Sequence, residues 1–185
     1  MNTLRKLWLT VLCAAVLTSV LPAMAGPSWD DVKNKIDKNK SYSLIYDYEG
    51  PSGIFTFDYQ FAPDNIKTEI TKSKSDPTRK GTVIIYKGGD KVIASTGSGT
   101  IARNLDHKDV VGRPFHQSIW TMIMNQLPGK GKSEPKSTKP YKGDGSKFIW
   151  ANYTIYADAN GDIVKTERKD GTTPEVREFK SITWK

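Results

Sequence analysis

One cysteine occurs in the 185 residues, Cys13, inside an apolar stretch near the start. Everything downstream lacks a thiol, which excludes disulfides, thiolate metal sites and cysteine nucleophiles. Histidine is nearly as scarce, with only His107 and His116. Neither sign of charge dominates: 28 Lys+Arg against 20 Asp+Glu give a net of +8. That excess is too mild and too uneven for a nucleic-acid-binding surface. No apolar run spans a bilayer comfortably, since Leu7 to Leu21 falls short of the roughly 20 residues that a membrane helix needs.

That short run has a different use. Arg5 and Lys6 precede it, and Ala23-Met24-Ala25 follows as a small-x-small cleavage pattern after Pro22. Residues 1–25 therefore read as a cleaved signal peptide, with Gly26 as the mature N-terminus. Val11-Leu12 ahead of Cys13 do not fit a lipoprotein cut at that cysteine. The expected product is a soluble, unlipidated periplasmic chain of 160 residues, one domain at 26–185, whose net charge drops to +6 with the loss of Arg5 and Lys6.

Ser28-Trp29-Asp30-Asp31 opens a helix with a serine cap and acids in the first turn. Trp29, Val32 and Ile36 form its apolar stripe, and it should end near Lys40. The period then changes to two. Tyr42, Leu44, Tyr46 and Tyr48 alternate with polar or smaller neighbours, then Phe55, Phe57, Tyr59 and Phe61 do the same after the turn at Gly50-Pro51-Ser52-Gly53. Ile66 to Ile70, Thr82 to Tyr86, Val92 to Ser95 and Thr100 to Leu105 continue as strands. Pro114 suits a first helical turn, and Phe115 to Leu127 is apolar around most of the helical wheel, which predicts a buried helix. Residues 128–146, rich in Gly, Pro, Ser and Lys, read as a mobile basic loop. Strands follow at Phe148 to Ala157, Ile163 to Arg168 and Val176 to Trp184, with Asn160-Gly161 as a turn. The fold class predicted is mainly β: a half-open antiparallel β-barrel, a curled sheet of about nine or more strands over an apolar helix.

Three motifs invite chemistry and none sustains it. Gly97-Ser98-Gly99-Thr100-Ile101-Ala102 has the lettering of a dinucleotide loop, but a strand follows where a helix must open onto the pyrophosphate. Asp158-Ala159-Asn160-Gly161-Asp162 starts like a calcium loop, yet Ile163 and Lys169 stand where glycine and glutamate are needed, so it reads as a β-turn. Asp106, His107 and Asp109 cluster metal- or proton-handling groups, and Ser118 lies two residues from His116, without assembling nucleophile, base and orienter. The expectation is no catalytic residue, no metal and no cofactor.

The positive signal is physical. Phe55, Phe57, Tyr59 and Phe61 beside Tyr46 make a broad apolar wall, with Trp120, Met122 and Met124 facing it from the helix. Aromatic walls with adaptable methionines suit apolar ligands of variable shape. Composition alone also allows a filled core, which it slightly favours. A second feature is the segment from Lys130 to Lys147, with six lysines against Glu134 and Asp144. It is a solvated linker or a contact for anionic headgroups.

Gly53-Ile54-Phe55-Thr56-Phe57, Phe61-Ala62-Pro63, Ile66-Lys67-Thr68-Glu69-Ile70 and Gly81-Thr82-Val83-Ile84-Ile85-Tyr86 resemble paired strands of the LolA/LolB-like periplasmic lipoprotein-carrier superfamily, which includes outer-membrane lipoprotein-sorting proteins. The order of elements resembles it along nearly all the mature chain. The resemblance implies a barrel half closed by helices, a cavity for the acyl chains of a lipoprotein or lipid, and a monomeric chaperone rather than an enzyme. It also leaves room for a non-transporting envelope interaction or sensor module with a filled core. An arginine frequent near the strand pair in that superfamily is absent here, where Lys67 stands.

Overall fold

The computed structural model describes residues 26–63, 65–88, 92–95, 103–105 and 116–185. Residues 1–25, expected as a signal peptide, the Gly97–Ala102 motif and the stretch from Asp106 to Phe115 lie outside them.

Helix α1 (Trp29–Lys38) begins as its capping residues require. Ser28 Oγ accepts from Asp31 N at 3.2 Å, and Ser28 N donates to the Asp31 carboxylate at 2.9 Å. Its stripe buries Trp29 and Val32. The Trp29 ring lies 5.3 Å from Phe148 and 5.0 Å from Trp150, which docks the helix on the last part of the sheet. Lys35 fastens the helix from its polar side, donating to Asn160 O at 2.9 Å and pairing with Asp162 at 2.7 Å.

Among the described residues eleven strands form one antiparallel sheet. The first six are β1 (Tyr42–Gly50), β2 (Gly53–Ala62), β3 (Asn65–Ser73), β4 (Val83–Tyr86), β5 (Val92–Ser95) and β6 (Arg103–Leu105). They step outward, each beside the last. Helix α2 (Ile119–Gln126) then crosses to the far edge, where β7 (Ser137–Tyr141), β8 (Gly145–Ile149), β9 (Tyr153–Ala157), β10 (Ile163–Arg168) and β11 (Glu175–Trp184) step back inward. The order is β6-β5-β4-β3-β2-β1-β11-β10-β9-β8-β7, so β1 and β11 meet at the centre and β6 and β7 stay as separate edges. Register shifts at Thr56/Phe57, Ile45/Tyr46 and Ile163/Lys165 leave an extra residue in β3, β11 and β10 respectively. Such bulges bend a strand and sharpen its twist, which curls the sheet into a half-open barrel around α2.

Helix α2 fills the concavity with Ile119, Trp120, Met122 and Ile123, all buried. The Trp120 ring lies 5.7 Å from Tyr42, 5.0 Å from Phe179 and 6.1 Å from Trp184. Removing a side chain packed in this way costs on the order of 3–5 kcal/mol.

Three sequence expectations are corrected. The helix starts at Ile119, not Phe115, because Ser118 caps it and His116 and Gln117 form a turn. Two tyrosines hold that turn: Tyr59 Oη donates to Gln117 O at 2.9 Å, and Tyr42 Oη lies 2.7 Å from Ser118 Oγ. The predicted strand from Phe148 to Ala157 is two strands, β8 and β9, folded at a tight turn where Trp150 N donates to Tyr153 O at 2.8 Å. The stretch 128–146, read as a loop, holds a 3-10 turn (Pro128–Gly131) and strand β7 in register with β8. Pro140 is tolerated there because β7 is an edge and needs no outward N–H.

Candidate functional site

The β1–β2 pair runs in continuous register, Tyr42 opposite Phe61, Leu44 opposite Tyr59, Tyr46 opposite Phe57 and Tyr48 opposite Phe55. Side chains two apart share a face, so all eight line the inside of the curl. Their surroundings differ along the strand.

At one end the wall is filled. Tyr42 stacks on Phe61 at 5.1 Å and meets Tyr59 at 6.1 Å and Trp184 at 5.5 Å, with Trp120 closing above. Tyr59, Phe61 and Trp120 of the predicted site therefore belong to this packed half.

At the other end, towards the β1–β2 turn, a cavity of about 420 Å³ remains under α2. Tyr46, Phe55, Phe57, Ile70, Ile84 and Met122 form its apolar wall. Tyr46 stacks on Phe57 at 4.9 Å, and Phe55 lies 5.8 Å from Phe57. From α2 it is Met122, not Met124, that reaches this space. Met122 and Gln126 are four residues apart and share one face, whereas Trp120 and Met124 share another. That second face turns towards α1, where Trp120, Met124, Ile36, Lys33, Lys130 and Lys132 line a separate recess of about 330 Å³. The predicted site is thus divided: Tyr46, Phe55 and Phe57 line the cavity, Tyr59, Phe61 and Trp120 pack, and Met124 faces the recess.

Sequence reasoning missed the polar part of the lining, which includes Thr68, Arg79, Arg168, Glu175 and Arg177 beside Ser52 and Gln126. Arg177 pairs with Glu175 through Nη1, and their side chains are 6% and 11% exposed. Its guanidinium lies over the Tyr48 ring at 5.4 Å. Arg168 stands directly across from Glu175 on β10. Arg79 lies over Phe55 at 5.8 Å and hydrogen-bonds Asp76 through Nε at 3.2 Å. Arg168 pairs through Nε with Asp170. Thr68 Oγ1 is buried with no hydrogen-bond partner among the described residues. Burial drives the Tyr46 hydroxyl well above its ordinary value of 10.0, opposed by the nearby Arg177 charge, so the ring stays neutral. The signal that could have revealed Arg177 is its place two residues before Phe179 on β11.

This arrangement can enclose apolar matter and present guanidinium groups to an anion. Its single carboxylate among the described residues, Glu175, is already ion-paired. Among the described residues no group of three or more His, Cys, Asp or Glu could hold a metal ion, and no helix is long and apolar enough to cross a membrane. The His107 cluster lies outside the described residues. His116 packs against Tyr86 at 4.8 Å between ring centroids, and Ser118 is occupied as a cap. The Asp158–Asp162 segment is a turn: Asp158 Oδ1 accepts from Asn160 N and Asp162 N, each at 2.9 Å.

No family model and no curated protein matches the sequence. Among solved structures, the chain is similar to one described as an uncharacterized conserved protein from Thermus thermophilus, with a TM-score of 0.52 and 8% identity over 84% of this chain and 86% of that one. A DUF1329 family protein from Desulfovibrio piger overlaps 84% of this chain and 91% of its own, at 9% identity and a TM-score of 0.35. The first likeness is one of fold, and neither description names an activity.

Proposed function

We propose that this protein is an exported periplasmic carrier, not an enzyme, that shelters the acyl chains of a lipid or lipoprotein during envelope trafficking. The observation that carries this reading is the cavity of about 420 Å³ left between the aromatic half-wall and Met122. Its size falls within the ~300–1,000 Å³ typical of small-molecule sites. The leader at residues 1–25 supports export, with cleavage after Ala25. The sheet keeps β6 and β7 as free edges, and α2 covers the cavity with Met122 and Gln126, so movement of α2 would admit and release the chain. Transient contact with a membrane surface would come through the lysines from Lys130 to Lys147.

Native mass spectrometry of protein purified without detergent should show co-purified lipid. Phe57→Asn should abolish uptake of a fluorescent fatty acid at modest cost in urea stability, because this ring borders empty space. The packed half around Tyr42, Tyr59 and Trp120 favours a second reading, an interaction module with a filled core. On that reading the parent binds no probe and Phe57→Asn costs roughly 3–5 kcal/mol.

A further inference from the structure

The carrier reading leaves open what is attached to the acyl chain, and the charged end of the cavity addresses it. The chain contains six arginines, three of which line this one cavity, while none of the described lysines does. Lysine would serve if only positive charge were wanted. The planar guanidinium fork instead matches carboxylate and phosphate oxygens two at a time.

The arginines are also held ready. Tyr48 and Phe55 carry the guanidinium groups of Arg177 and Arg79 on their faces. Asp76 and Asp170 engage Arg79 and Arg168 at Nε, and neither aspartate lines the cavity. Glu175 is the only acid in the lining among the described residues, between Arg168 opposite and Arg177 beside it. Among the described residues the lining therefore carries two more positive charges than negative, the excess lying on Arg79 and Arg168 while Arg177 is withdrawn from water with Glu175. A buried ion pair of this kind is seldom kept for stability, since apolar replacements are often as stable or more so. Thr68 Oγ1 adds a polar group that nothing among the described residues satisfies.

Polarity is graded along the strands as well. Glu175, Arg177 and Tyr48 lie at the β1–β2 turn end, Phe57, Ile70 and Met122 come next, and the Tyr42–Trp120 packing closes the far end. We infer that the cavity takes a single-chain amphiphile with an anionic carboxylate or phosphate head, seated on Arg177, Arg168 and Arg79, with its chain along Phe55 and Phe57 towards Met122. This rests on the carrier reading and narrows it. At about 420 Å³ the space stands low in the range for small-molecule sites and suits one chain rather than several.

The test compares a dansyl-labelled medium-chain fatty acid with its methyl ester, titrated into the detergent-free protein, with inorganic phosphate as a third probe. The acid should bind at least about tenfold more tightly than the ester, about 1.4 kcal/mol. Arg168→Gln at a half-buried position and Arg79→Gln at an exposed one should each bring the acid-to-ester ratio down towards one. Arg177→Met paired with Glu175→Gln removes the buried pair together and should do the same in protein whose circular dichroism matches the parent. Equal binding of acid and ester by the parent overturns the anionic head while sparing the carrier. Binding of neither probe overturns both. Phosphate alone binding as tightly as the acid replaces the amphiphile with a free anion and overturns the inference.

Discussion

A guanidinium at 6% exposure against a single carboxylate, as Arg177 is against Glu175, makes stability depend on both partners being present. Arg177→Met alone strands a buried Glu175 and should cost about 3–5 kcal/mol, whereas adding Glu175→Gln should recover most of that loss. Urea melts on the two single variants and the double variant supply the cycle. A gentler case is Glu167. Burial works to raise its carboxyl, but hydrogen bonds from Lys165 and Tyr156 outweigh it and hold the group below the ordinary 4.5. The unfolded chain therefore takes up this proton first on acidification. The stabilisation is present above about pH 5 and fades as pH falls through the ordinary carboxylate range and then the lower folded value. Glu167→Gln should flatten that acid limb and cost about 0.5 kcal/mol near neutrality, the scale of an exposed ion pair, as thermal melts across pH would show. Tyr46, Phe55 and Phe57 were legible in the sequence because large rings at a period of two declare their face. Arg177 was not. Counting back by twos from Trp184 and Ile182 reaches Lys180 and Glu178 and puts Arg177 outside. The bulge leaves Lys180 unpaired in the ladder, where it bonds Asp47 on the outer surface, and turns Phe179 and Arg177 inward.

Among the elements, α2 is where propensity and tertiary anchoring part company. A stretch free of Gly and Pro after Pro114 argued for a start at Phe115, but backbone groups at a helix end need partners. Ser118 supplies one, accepting from Thr121 N at 3.5 Å while its hydroxyl also meets Tyr42. Ser118→Ala should thus cost about 1 kcal/mol, up to about 2 with the loss of the tyrosine contact, read as a lower urea midpoint at unchanged slope. Strand β7 was illegible for a different reason. Ser137-Thr138-Lys139-Pro140-Tyr141 buries little on either face, so no apolar alternation marks it. It is a strand because β8 offers a ladder, and a single sequence does not display its neighbours.

At the scale of the whole molecule, the basic segment belongs to an edge. Lys139 stands directly across from Lys147, a like-charged pair that the β7–β8 ladder must tolerate, and Lys147 lies over Tyr156 at 4.9 Å. Lys130 and Lys132 sit instead at the recess beside α1. If this side meets anionic headgroups, each lysine near the surface contributes about 1 kcal/mol. Neutralising Lys130, Lys132, Lys136 and Lys139 should then weaken sedimentation with anionic vesicles, and salt should weaken the parent in the same way. No vesicle binding by the parent at low salt would leave these lysines as guards against edge-to-edge pairing, together with Pro140. The central pairing of β1 with β11 has a consequence in time. Tyr42 lies opposite Trp184, so the seam at the middle of the sheet joins residues about 140 positions apart. Contacts of such long range must meet the entropy of closing the chain before their favourable energy appears, and folds dominated by them form slowly. Until β11 arrives, β1 presents a free edge and the aromatic half of the curl has no far wall. The interval before that final pairing is when this chain is most exposed to aggregation, and when a holdase would matter most to it.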